Sequence, residues 1–247
     1  MYSVLILAGG QSRRMGRNKA FLDWRGRPLI ADLIDRFRPI SDDVILIAPD
    51  LKPFQGLNAR LVPDPLPPVG PLGGLWSGLL SARHEWAFAM ACDMPLVDPR
   101  VVEWMFEQRG EADAVVPLDD QGRPEPLHAL YRASCLNAIA SALACGQRAM
   151  LAFYPAIRVR YLAPSIWRAV DPEGRSWRNI NTPEDWKQLQ GEIPVNIPWM
   201  RRGRHGATGL CAERGREPRS APGRRVEGAA GARDRAGSPG GNLRRGH

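Results

Sequence analysis

The segment from Val4 to Lys19 constrains the fold of this chain more than any other stretch of the sequence. It begins with an apolar run, residues 4–7, of the kind that forms a buried strand in a parallel sheet. The run stops at Gly9 and Gly10, where the backbone can adopt conformations that a Cβ atom would forbid. A buried strand followed at once by a glycine loop predicts an α/β sheet organised around this segment.

The loop after the first strand suits a polyphosphate. Backbone N–H groups exposed in such a loop form a concave anion-binding surface, and nearby cations neutralise the remaining charge. The cations here are Arg13, Arg14, Arg17 and Lys19. An ordinary glycine turn with solvated basic side chains is the alternative, and the loop alone does not decide between them. The loop lacks the Gly-Lys-Ser/Thr ending of P-loop enzymes and the three-glycine spacing of dinucleotide folds.

Strands and helices alternate after this loop. Pro28 opens a helical pattern that Pro39 ends, and apolar runs at 44–47 and 60–62 indicate the next two strands. This alternation predicts an α/β fold: a single Rossmann-like, three-layer α/β/α domain with a mostly parallel sheet and right-handed crossovers. Ligands of such sheets bind at the carboxyl ends of the strands.

The charges divide the chain into a neutral body and a basic tail. The sequence has 34 basic and 26 acidic residues, of which 12 and 4 fall in residues 201–247, so the net charge of +8 lies there. The tail is rich in Arg, Gly and Pro and has too few large apolar residues to offset its chain entropy. We therefore expect a folded domain over residues 1–195 and a disordered tail over residues 196–247. The tail is either an arm that contacts RNA or a membrane, or a solvated extension without a selected role.

The cysteines show neither the paired spacing of a zinc site nor a disulfide framework. They are Cys92, Cys135, Cys145 and Cys211. Reduced thiols are typical of a reducing compartment, and the first residues lack the features of a signal peptide or a membrane span. We therefore expect a cytoplasmic protein.

Two aspartates follow predicted strands. Asp64 comes after the third strand and before a glycine-rich segment, residues 70–74, where it could contact the base or ribose of a nucleotide. Asp93 directly follows a buried strand at 86–92. A carboxylate there suits Mg²⁺, which prefers one or two carboxylates plus phosphate oxygens to a full protein cage. Each aspartate could instead be a turn residue.

Two asparagines just before a predicted helix near the end of the folded domain are available for ligand contacts. We expect a short strand at residues 179–181, followed by a helix with Thr182 as its N-cap and Asp185 as the reciprocal capping carboxylate. Asn179 and Asn181 are not needed for that cap. Among other polar residues, Arg148 faces either a phosphate or solvent, and His128 is interpreted as a packing or hydrogen-bonding residue rather than a general base.

Taken in order, these segments resemble the molybdenum cofactor guanylyltransferase family, within the larger group of sugar-nucleotide-type nucleotidyltransferases. The matching segments are Leu7-Ala8-Gly9-Gly10, Arg13-Arg14-Met15-Gly16, Lys19, Asp64, residues 70–74, Cys92-Asp93-Met94-Pro95, Glu125-Pro126-Leu127 and residues 179–184. The first loop is shared by many nucleotidyltransferases, whereas the loop, Cys-Asp-x-Pro and Asn-x-Asn-Thr-Pro together are specific. One departure is Ile47-Ala48-Pro49, where some members carry an Asn after the second strand.

The resemblance implies a reaction in which GTP and a molybdopterin-type cofactor give the guanine dinucleotide cofactor and pyrophosphate, with Mg²⁺. The pterin phosphate attacks the α-phosphorus in line; because it is already an anion, no Ser-His-Asp or Cys-His arrangement is required. The implied partners are GTP, molybdopterin, proteins that supply the cofactor and molybdoenzyme chaperones. A membrane or a nucleic acid is not an implied partner.

The resemblance also implies residue roles. The nucleotide-binding residues would be Leu7, Ala8, Gly9, Gly10, Lys19, Asp64 and Asp93. Asp93 would also bind Mg²⁺, and Arg13 and Lys19 would stabilise the leaving pyrophosphate. The residues on the pterin side would be Arg148, Asn179 and Asn181.

Three other functions remain open from the sequence. A cytidylyltransferase acting on the same cofactor is the nearest, and Gly10 favours the guanylyl branch, since cytidylyl relatives tend to read Ala-Ala-Gly there. A nucleic-acid-binding protein would work through the basic tail and show salt-sensitive binding. A nonenzymatic α/β regulator would bind nucleotide without turning it over.

Overall fold

Seven strands of the described chain form one sheet in the computed structural model, which describes residues 1–9, 18–64 and 70–192. The strands along the chain are β1 (Ser3–Leu7), β2 (Asp23–Trp24), β3 (Arg27–Pro28), β4 (Val44–Ala48), β5 (Arg60–Pro63), β6 (Trp86–Ala91), β7 (Ala114–Pro117), β8 (His128–Arg132) and β9 (Val159–Leu162). The helices are α1 (Leu29–Phe37), α2 (Pro71–Ser81), α3 (Pro99–Glu107), α4 (Cys135–Ala144), α5 (Pro164–Trp167) and α6 (Pro183–Glu192).

The order of strands across the sheet is β5-β4-β1-β6-β8-β7-β9. β1 pairs in parallel with β4 and β6, and β4 pairs in parallel with β5. β8 is antiparallel to both of its neighbours, and β9 is parallel to β7. The carboxyl ends of β1, β4, β5 and β6 therefore lie at one edge of the sheet, as the predicted mostly parallel sheet requires.

One face of the sheet packs against α2 and α4. Leu5 and Leu7 of β1 point to this face and belong to one buried cluster with Leu72 and Leu75 of α2. Close approach of α2 depends on its glycines. A Cβ added at Gly78 would lie only 2.9 Å from Leu5 Cδ1, so a larger residue there would require the Leu5 side chain or the helix to shift.

The other face packs against α1 and α3, which completes the three predicted layers. Phe37 of α1 contacts Phe88 of β6, with 5.8 Å between the ring centroids. Phe106 of α3 lies 5.0 Å from Tyr2 and 6.4 Å from Trp86, measured in the same way. Both faces of the sheet are therefore covered, which explains why every residue of β1 and β4 is buried.

Two sequence expectations differ from the structure. The predicted strand at residues 179–181 is wrong, because this segment is an irregular loop. The β2–β3 hairpin was not expected; its turn, Arg25-Gly26, has positive φ at both residues (60° and 81°), which is typical of a tight hairpin.

The described body ends with α6 at Glu192. The predicted tail, residues 196–247, lies outside the described residues, so its disorder stays a prediction. No helix in the described part of the chain is long and apolar enough to cross a membrane.

Candidate active site

An ion pair joins Lys19 and Asp93 at the carboxyl edge of the sheet. Lys19 Nζ lies 2.8 Å from Asp93 Oδ2, and the two side chains are 14% and 20% exposed. Asp93 follows the end of β6, and Lys19 begins a short 3-10 turn whose N-cap is Asn18. The two residues that the sequence assigned to one bound nucleotide therefore lie in direct contact, although 74 positions separate them.

Asn181 reaches the same ammonium group. Its Oδ1 accepts a hydrogen bond from Lys19 Nζ at 3.4 Å. The predicted capping box follows it directly: Asp185 Oδ2 accepts from the Asn181 and Thr182 amides at 2.8 Å each, and Thr182 Oγ1 accepts from the Asp185 amide at 3.1 Å. The two amide donors hold the pKa of Asp185 below its usual range. The Asp185 carboxylate therefore serves the helix cap, whereas the Asn181 side chain contributes to the candidate site.

The loop that carries both asparagines is attached to the backbone of Asp93. The Ile180 amide donates to the Asp93 carbonyl over 2.9 Å, and the Ile180 side chain is buried. Asn179 and Asn181, on either side of it, are exposed. The structure therefore brings Asn181 into the Lys19–Asp93 pair and leaves Asn179 at the surface beside it.

The end of β1 lies beside the start of the Asp93 turn. The Leu7 carbonyl accepts from the Cys92 amide over 3.1 Å, and the Ala8 amide donates to the Ile47 carbonyl over 2.8 Å. The Ala8 N–H is thus used within the sheet, and amide donors for a phosphate would have to come from Gly9 onward. Gly10 and Arg13 lie outside the described residues, as do Arg14 and Arg17.

Asp64 and Arg148 lie at other parts of this edge. Asp64 is half-buried just after β5, and its amide donates to the Ala48 carbonyl over 3.1 Å. Gly70 is the N-cap residue of α2 and has φ 74°, and a Cβ added to it would lie 3.8 Å from the backbone carbonyl oxygen of Arg148. Arg148 is exposed. The Arg148 backbone is therefore next to the N-terminus of α2.

Neither Cys92 nor His128 is prepared for nucleophilic or base chemistry. Burial raises the pKa of the Cys92 thiol to about 12. Burial also lowers the pKa of His128 to about 3, and its ring packs edge-on against Phe88 and Trp177 with centroids 5.0 Å away in each case. At neutral pH, Cys92 is therefore a thiol and His128 a neutral packing residue, as interpreted from the sequence.

The donor set fits a metal that is held mainly by its substrate. The described residues contain no group of three or more His, Cys, Asp or Glu side chains able to hold a metal ion. Asp93 offers a partly exposed carboxylate, paired with Lys19, at the carboxyl edge of the sheet. This matches Mg²⁺, which keeps several waters and binds through one or two carboxylates plus phosphate oxygens.

Two residues that support the site were not found from the sequence. Arg36 donates to the carbonyls of Pro95 and Val97, in the turn after Asp93, and Ser176 Oγ accepts from the Asp98 amide over 3.1 Å. Arg36 lies three residues after the apolar Leu33 in an amphipathic helix, which is the one local signal that it is partly turned to the interior. Ser176 has no comparable signal.

Comparisons with known proteins show what this chain is similar to. A family model described as the MobA-like NTP transferase domain matches residues 4–159. The molybdenum cofactor guanylyltransferase of Desulfosudis oleivorans is 38% identical over 191 residues, which cover 76% of this chain and 94% of that protein. The probable molybdenum cofactor guanylyltransferase of Methanosarcina mazei is 35% identical over 207 residues, covering 79% and 92%.

A solved structure supports the same relationship in three dimensions. The crystal structure of molybdopterin-guanine dinucleotide biosynthesis protein A from Archaeoglobus fulgidus aligns with a TM-score of 0.67 at 29% identity. The alignment covers 76% of this chain and 97% of that one. In both kinds of comparison the relatives align over nearly their whole length.

Proposed function

The chain belongs to the molybdenum cofactor guanylyltransferase family, with a MobA-like NTP transferase domain, and from this premise we propose that it transfers GMP from GTP to molybdopterin and releases pyrophosphate. The Lys19–Asp93 ion pair is the observation that carries the proposal. It puts a cation and a carboxylate together where β1 and β6 end, at the edge where a parallel sheet binds its ligand.

The reaction is a displacement at phosphorus. An oxygen of the molybdopterin phosphate forms a bond to the α-phosphorus of GTP while the bond from that phosphorus to the oxygen bridging the β-phosphate breaks. The bonding electron pair leaves with pyrophosphate. The nucleophile is an anion from the start, so no side chain has to remove a proton, and the protein contributes positioning and charge neutralisation.

Lys19 is the described cation that we assign to the leaving pyrophosphate. Its ammonium is held by oxygens of Asp93 and Asn181, which orient it at the site. A charge oriented in advance needs little reorganisation in the transition state, which is the main advantage of such a group. Arg13, in the loop outside the described residues, is assigned the same role.

Asp93 is the residue that would hold Mg²⁺. Bound there with the nucleotide, the ion would neutralise phosphate charge and polarise the reacting phosphorus. The backbone of Asp93 is fixed by the Ile180 amide, so its carboxylate starts from a defined position.

The remaining residues are assigned to the two substrates. The phosphate-binding backbone would begin at Gly9, since the Ala8 amide already donates to Ile47. The nucleoside would lie toward Leu7, Ala8 and Asp64. The pterin-side residues would be Arg148, Asn179 and Asn181, of which Asn181 contacts Lys19 directly.

We assign the reaction to the cytoplasm, with cofactor-supplying proteins and molybdoenzyme chaperones as further partners. Cys92, Cys135 and Cys145 are free thiols, which suits a reducing compartment.

Pyrophosphate release by the purified chain, with molybdopterin and either GTP or CTP, tests the proposal. We expect release with GTP that depends on molybdopterin. A preference for CTP would support the cytidylyl alternative, and nucleotide binding without pyrophosphate release would support a regulator. Full activity in a chain ending at residue 200 would separate catalysis from any nucleic-acid binding by the tail.

A further inference from the structure

The turn between β6 and α3, residues 93–98, carries the predicted metal ligand and is held through its backbone. At its start, the Asp93 carbonyl accepts from the Ile180 amide over 2.9 Å. At its end, the Asp98 amide donates to Ser176 Oγ over 3.1 Å. Residues 94–97, between these two attachments, are buried.

Arg36 of α1 holds the middle of this turn. Its Nη1 donates to the carbonyl of Pro95 over 2.8 Å and to the carbonyl of Val97 over 2.9 Å. Its side chain is only 5% exposed, and its Nη2 pairs with Asp32, one helical turn earlier. Carbonyl groups in buried backbone need a donor, and at Pro95 and Val97 the guanidinium supplies it.

The shape of the guanidinium group explains why an arginine suits this position. It is a planar fork with five N–H donors, so it can reach two carbonyls and a carboxylate at once. A lysine ammonium carries its charge at one point and lacks the fork, so it would hold the two carbonyls less firmly. Asp32 balances the buried charge.

We infer that Arg36 is a positioning residue for the Asp93 carboxylate, acting through the carbonyls of Pro95 and Val97. Arg36 belongs to α1 and contacts the carbonyl of Pro95. Along the chain, Asp93 is only two residues before Pro95, and the backbone between them is buried. Freeing these carbonyls would let the turn shift and would move the carboxylate relative to Lys19. The inference rests on the proposed function, because it takes Asp93 as the ligand of the metal–nucleotide complex.

The test is Mn²⁺ binding to the full chain in the presence of saturating GTP, followed by electron paramagnetic resonance. Loss of a residue that orients a metal ligand typically weakens metal affinity about 10- to 100-fold. We therefore expect Arg36→Gln to raise the Kd for Mn²⁺ by about tenfold or more, and Arg36→Lys to have a smaller effect in the same direction. If Arg36→Gln does not fold, as judged by circular dichroism, Arg36→Lys carries the test.

Arg60→Gln is the matched control. Like Arg36, Arg60 donates to a backbone carbonyl, that of Ser81, over 2.6 Å, and to an aspartate, Asp43. These contacts lie at the amino ends of β4 and β5, at the edge of the sheet opposite the candidate site. The Arg60→Gln substitution should lower the melting temperature without changing the Kd for Mn²⁺. Folded Arg36 variants with the wild-type Kd would overturn the positioning role alone. A wild-type chain that binds no Mn²⁺ with GTP would overturn both this inference and the proposed role of Asp93.

Discussion

The backbone amide of Ile180 donates to the backbone carbonyl of Asp93 over 2.9 Å. This bond attaches the loop before α6 to the carboxyl end of β6. The loop is also fixed at its far end by the capping box of Thr182 and Asp185. Asn181, between these two attachments, is therefore held at a defined place beside Lys19.

Replacing Asn181 by Ala should impair use of molybdopterin more than use of GTP. Its side chain is exposed beside the site, and its assigned place is on the pterin side, whereas its contact with Lys19 accounts for the smaller effect expected on GTP. We expect the KM for molybdopterin to rise about tenfold, equivalent to about 1.4 kcal/mol of lost binding, with a smaller change in the KM for GTP. Steady-state pyrophosphate release with each substrate varied in turn measures both KM values. A larger effect on GTP would place Asn181 on the nucleotide side instead.

Replacing Lys19 by Met, or Asp93 by Asn, should lower the turnover rate about 10²- to 10³-fold, the usual cost of losing one preorganised charge. Met keeps most of the length of Lys19 without the charge, and Asn keeps the shape of Asp93. Each variant removes one charge of the 2.8 Å ion pair, whose side chains are 14% and 20% exposed, so the melting temperature of each variant is measured beside its activity to show that the fold remains intact. The measurement is GTP-dependent pyrophosphate release under saturating substrates.

Lys52→Met is the control for Lys19→Met, since Lys52 is exposed in a separate 3-10 turn. It should keep wild-type activity. Near-normal turnover in Asp93→Asn would remove the metal assignment from Asp93.

Acid should destabilise the protein partly through His128. Burial lowers its pKa to about 3 in the folded state, whereas an unfolded histidine titrates near 6.5. Between these values only the unfolded state takes up the proton, so this contribution to stability is complete above about pH 6.5 and is lost as the pH falls toward 3. The loss approaches about 1.4 kcal/mol per pH unit within that window.

Urea unfolding of the wild type and of His128→Phe at pH 7.5, 6 and 5 measures this effect. Phe preserves an aromatic ring between Phe88 and Trp177 but cannot take up a proton. Its free energy of unfolding should therefore fall less steeply with pH than that of the wild type. If the free energy of unfolding falls equally steeply with pH in both proteins, His128 does not contribute to the acid destabilisation.

Local sequence patterns predicted much of the framework. The apolar runs of β1, β4 and β6 were recognised because a strand buried on both faces contains almost only apolar residues. The capping box at Thr182 and Asp185 was recognised because it depends on residues three positions apart. The reversed strand β8 and the hairpin at Arg25-Gly26 were not predicted, since strand direction depends on pairing with distant residues.

The sequence by itself determined that glycines and an aspartate follow buried strands, and hence that a charged site would form at one edge of a mostly parallel sheet. Such patterns lie within a few neighbouring residues and reflect local backbone preference and burial. Only the tertiary structure decided that Lys19 meets Asp93 and Asn181, and that Arg36 holds the turn after Asp93. Those contacts join residues between 59 and 162 positions apart, and such distant pairs meet only when the whole sheet and its covering helices have packed.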